Sequence, residues 1–115
     1  MSHDDILEAL NAYDQELSAI LGRFNRTRDS LSIDPQDNYR LRTLTVELVD
    51  LLHDHIPGSL PHERQVTDLY NEGNSNFFHG ASYSCVADIQ AVVKAVITRV
   101  SRTRESPRFS RRLFG

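Results

Sequence analysis

A chain of 115 residues fits one domain, and 39% hydrophobic with 25% charged residues is globular composition, which excludes a disordered chain. Cys85 is the only cysteine, which excludes an intrachain disulfide and a cysteine-rich zinc site. No apolar run approaches the roughly 18 residues of a membrane span, and the acidic opening Met1-Ser2-His3-Asp4-Asp5 is unlike a signal peptide, so a cytoplasmic protein is expected.

Ser2 followed three residues later by Asp5 reads as a variant of the helix-capping box. Ile6, Leu10, Tyr13, Leu17, Ile20 and Phe24 then recur at alternating steps of four and three, one helical stripe widened by Leu7 and Leu21. Acids (Asp4, Asp5, Glu8) come early and bases (Arg23, Arg26, Arg28) late, as the helix dipole prefers. The pattern predicts a helix over 3–28. Residues 29–34 lose the period and read as a connection. Asp34-Pro35 restarts a helix, because Asp caps well and Pro suits the first turn. Leu41, Leu44, Leu48, Leu51 and Leu52, helped by Tyr39, Val49 and Ile56, carry it over 35–55 until Pro57-Gly58.

Ser59-Leu60-Pro61 is a second restart, with Val66, Leu69 and Tyr70 as a short apolar face and Gly73 at the helix end, predicting 61–72. Residues 74–80 read as a loop or an irregular helix entry. Val86, Ile89, Val93, Val96 and Val100 follow at steps of three and four. Strict alternation fails at Val92-Val93 and Val96-Ile97, so this β-branched run is predicted to be helix rather than strand. Ala87, Ala91 and Ala95 form a small-residue row that permits close helix approach within the chain or between two copies, first of all in the core. Four helices with short connections predict an all-α, antiparallel four-helix bundle over residues 1–100.

Residues 101–115 form a basic C-terminal tail, in which Pro107 breaks the pattern. Alone in water such a tail is expected to be mobile. Arg102, Arg104, Arg108, Arg111 and Arg112 oppose one acid, Glu105, whereas residues 1–100 carry a net charge of −7. An acidic body with a basic end points to an acidic destination: RNA or DNA, another acidic surface, or a second copy. Phe109, Leu113 and Phe114 among the arginines also suit docking into a hydrophobic groove. These eight residues, five arginines and three apolar, are the candidate partner- or nucleic-acid-binding set.

Four constellations bear on chemistry. His53-Asp54-His55 and His62 are histidine-dense, but positions two apart on a helix diverge, so a polar helix end is the expectation and no metal is assigned. Cys85 opens an apolar face and is expected to be buried and inert. Gly73 and Gly80 make no phosphate-binding cradle, and no cofactor is implied. Asn71, Glu72, Asn74, Ser75 and Asn76 precede Phe77-Phe78-His79-Gly80, where a histidine suits acid–base work and the asparagines suit hydrogen bonds to an anion.

Glu72-Gly73-Asn74-Ser75-Asn76-Phe77-Phe78-His79-Gly80, between two helices of a small bundle, resembles the signature region of the HEPN superfamily. The resemblance implies a small, often dimeric helical bundle with its motif at the start of the last long helix. Many such domains are RNA-cutting effectors of toxin–antitoxin or antiviral defence systems; others are non-catalytic. The family motif is an arginine, four to six residues, then a histidine. His79 matches the histidine, but Asn74 stands where the arginine belongs. A guanidinium grips a phosphodiester bidentately and stabilises developing charge, and losing such a donor costs on the order of 10²–10³ in rate. The expectation is therefore a non-catalytic interaction or scaffold protein that forms homo-oligomers or binds a protein partner. The alternatives are a divergent ribonuclease using His79, Asn74 and Asn76 across a dimer, and nucleic-acid binding through the basic tail.

Overall fold

The computed structural model describes residues 1–28, 30–73 and 80–114, with side chains as far as Arg102. It is an all-α bundle of four helices: α1 (His3–Gly22), α2 (Pro35–His55), α3 (Leu60–Gly73) and α4 (Tyr83–Phe114). Each helix packs beside the next, and α4 returns against α1 to close the ring. The directions alternate. Arg23, just past the end of α1, meets Asp37 near the start of α2, Leu69 of α3 meets Cys85 near the start of α4, and Gln90 of α4 meets Asp14 of α1.

The capping box forms as the sequence predicts. Ser2 Oγ accepts the Asp5 amide at 3.1 Å, and the Asp5 carboxylate accepts the Ser2 amide at 3.2 Å, satisfying two donors that a helix start leaves open. The backbone bond from Ser2 also lowers the Asp5 pKa. Ile6, Leu10, Leu17 and Ile20 are buried, with Tyr13 half-buried between them. The helix ends at Gly22, not at residue 28. Glycine is a poor helix former, and the next residue is drawn away: Arg23 Nε and Nη2 donate to Asp37 at 2.9 and 2.8 Å. Arg26 and Arg28 thus lie outside the helix whose dipole they were expected to complement. Phe24 leaves the helical stripe and packs edge-on against Tyr83, with centroids 5.2 Å apart at 76°.

The expected connection contains a small antiparallel hairpin, β1 (Asn25–Arg26) with β2 (Leu31–Ser32), in register Asn25 to Ser32 and Arg26 to Leu31. Asp34 then caps α2 by accepting the Gln36 amide at 2.9 Å, with Pro35 in the first turn. Leu41, Leu44, Leu48, Leu51, Leu52 and Ile56 are all buried. Tyr39 is not one of them; it lies 73% exposed. At 100° per residue it sits roughly 160° from Leu41, on the opposite face.

Helix α3 buries Val66 fully and Leu69 and Tyr70 partly. In α4 the β-branched run is helix, and Val86, Ile89, Val92, Val93, Val96 and Val100 face the core. The helix does not stop at Pro107; it runs on to Phe114. A proline withdraws its own amide from the ladder, while the arginines and Glu105 around it are good helix formers. Among the described residues no helix is long and apolar enough to cross a membrane.

Charged pairs tie α1 to α2 on the outside. Arg40 bonds Glu16 with two nitrogens and Glu47 with a third. The hydrogen bond from Arg40 holds the Glu16 carboxyl below its ordinary value of 4.5. A depressed folded pKa stabilises above the unfolded value, and that contribution fades as pH falls through the folded one. Glu16→Gln is therefore expected to flatten the fall in stability below pH 4.5, read as urea midpoints across pH 2–6. Gly73 supplies a second test. A Cβ there would overlap Cβ and Sγ of Cys85. Gly→Ala in a helix ordinarily stabilises, yet Gly73→Ala is expected to destabilise by about 1–3 kcal/mol through overpacking in urea unfolding.

Candidate functional site

The segment singled out in the sequence joins α3 to α4. Asn74, Asn76, Phe77, Phe78 and His79 lie outside the described residues, as does Ser75. Its two flanks are described, and both are held by close backbone packing. On the α3 side, Gly73 leaves only enough room for Cys85. On the α4 side, Gly80 has φ +70°, a conformation that favours glycine. A Cβ at Gly80 would stand 2.8 Å from Ile33 Cγ2 and from Asn38 Cγ. Asn38 Oδ1 accepts the Ala81 amide at 3.0 Å, and Ser82 Oγ accepts the Cys85 amide at 3.1 Å. The hairpin exit and the start of α2 thus fix where the segment ends.

Cys85 is buried, as expected from its place on an apolar face. Its thiol donates to Leu69 O at 3.3 Å. Burial, helped by nearby Asp88, pushes its pKa up to about 11. A thiol so placed is a packing group rather than a nucleophile.

The histidines at the α2–α3 turn part company. His53 Nδ1 is 3.2 Å from Glu63 Oε1. His55 points to another neighbourhood, lining a cavity with His3 and Arg99. Among the described residues no group of three or more His, Cys, Asp or Glu side chains is arranged to hold a metal ion.

Arg102 is exposed on α4. The side chains of Arg104, Arg108, Phe109, Arg111, Arg112, Leu113 and Phe114 lie outside the described residues, although their backbone continues α4. The alanine row falls elsewhere than expected. Ala91 and Ala95 are exposed and Ala87 is half-buried, so the row belongs to the outer face of α4 and not to the core. The valines and Ile89 occupy the opposite side and make the contacts with α1 and α3.

Sequence reasoning missed a groove between α2 and α3. It measures about 290 Å³, and its lining includes Arg42, Thr45, Val46, Val49, Asp50 and Tyr70. Val46 is 57% exposed. Tyr39 lies on the same side of α2, two turns earlier. Burial raises the Tyr70 pKa, so its hydroxyl stays protonated. The available signal was a second apolar row on α2. Tyr39, Val46 and Val49 stand off the leucine stripe and cannot all join the core.

No protein-family model matches the chain, and comparisons with curated proteins and with solved structures find no match.

The raised thiol pKa predicts slow alkylation. Against an ordinary value of 9.0 it leaves about 100-fold less thiolate at neutral pH. Iodoacetamide is expected to label native Cys85 at least that much more slowly than the urea-unfolded chain, measured by intact mass.

Proposed function

We propose that this chain is a non-catalytic interaction module that pairs with a second copy of itself through the α2–α3 groove. The observation that carries this reading is the apolar surface on α2, where Val46 and Tyr39 are 57% and 73% exposed beside a groove lined by Val49 and Tyr70. Large apolar side chains gathered at one concave place mark interaction surfaces more often than scattered ones do. Their energetic value is realised when a partner covers them.

The favoured occupant is the C-terminal part of α4 from the second copy. Among the described residues Val100 is its last buried one, level with the start of α1 and the end of α2. The helix runs 14 residues beyond it, about 21 Å at 1.5 Å each. An isolated helix that short is marginal in water and gains from a surface to pack on. Its sequence places Phe109 and Leu113 four apart among five arginines, the pattern of a basic helix laid into a groove. Charge agrees: the body is acidic, and Asp50, Asp54 and Asp68 are exposed on α2 and α3.

The weak likeness to the HEPN superfamily supports the same side of the choice. With Asn74 in place of the motif arginine, cleavage lacks its bidentate phosphate grip, whereas pairing of two bundles needs no such group.

Light scattering coupled to size-exclusion chromatography tests the reading. At about 100 µM, well above a micromolar Kd, the wild type is expected to run at twice the chain mass. Val46→Asp on the exposed face and deletion of residues 103–115 are each expected to return it to monomer. A monomeric wild type, or a dimer indifferent to both changes, overturns the reading. RNA cleavage lost in His79→Ala would replace it with the divergent ribonuclease.

A further inference from the structure

We draw no further inference here: the strongest candidate, the outward face of α4 that presents Ala91 and Ala95 beside the exposed Asp88 and Lys94, is a small-residue stripe, and nothing in the structure shows what covers it.

Discussion

Everything in this bundle hangs on the buried seam along α4. Val86, Ile89, Val93, Val96 and Val100 follow one another at helical spacing, and α1 and α3 close on them from two sides. Each such side chain, fully buried, contributes roughly 1.5–3 kcal/mol, and together they overcome the modest helix propensity of β-branched residues. Helix α2 completes the ring by packing its leucines between α1 and α3. Because all four helices turn their apolar stripes inward, whatever apolar residue stands off a stripe is left on the surface.

Polar contacts then fix the ends of the helices. Arg23, itself half-exposed, reaches from the end of α1 to the buried Asp37 of α2. Asn38 holds the entry to α4 through the Ala81 amide, and Arg99 grips the carbonyls of the Pro57-Gly58 turn. These bonds join elements far apart in sequence and leave little freedom in how the helices are staggered. The stagger is what leaves a groove between α2 and α3, a cavity where α1 begins, and an α4 longer than the body it belongs to. The two recesses differ in chemistry. One is lined by valines and a tyrosine with one residue of each charge, as protein surfaces want; the other is smaller and lined by two histidines and an arginine.

The chemistry around residues 72–80 separates in the same way. Its flanking residues are under tight steric control, with Gly73 against Cys85 and Gly80 against Ile33 and Asn38. Cys85, next to this segment, is a wall of the core and carries a raised pKa for that reason. Both ends of the segment are thus fixed by packing.

The sequence by itself determined the helices and most of their inner faces. Local signals suffice for that: Ser2 with Asp5, Asp34 with Pro35, and apolar spacing of three and four act within a few residues. It also told buried from reactive for Cys85, since one apolar face has one inside. Only the tertiary structure decided where α1 stops, because Arg23 is claimed by Asp37, fourteen residues on. Only it put Tyr39 and the alanine row outside, since a helix has many polar-tolerant faces and packing selects which one meets a neighbour. The groove and the cavity at the start of α1 were equally illegible. His3, His55 and Arg99 are spread along nearly the whole chain, and no spacing rule connects residues that meet only after three helices have turned back on one another.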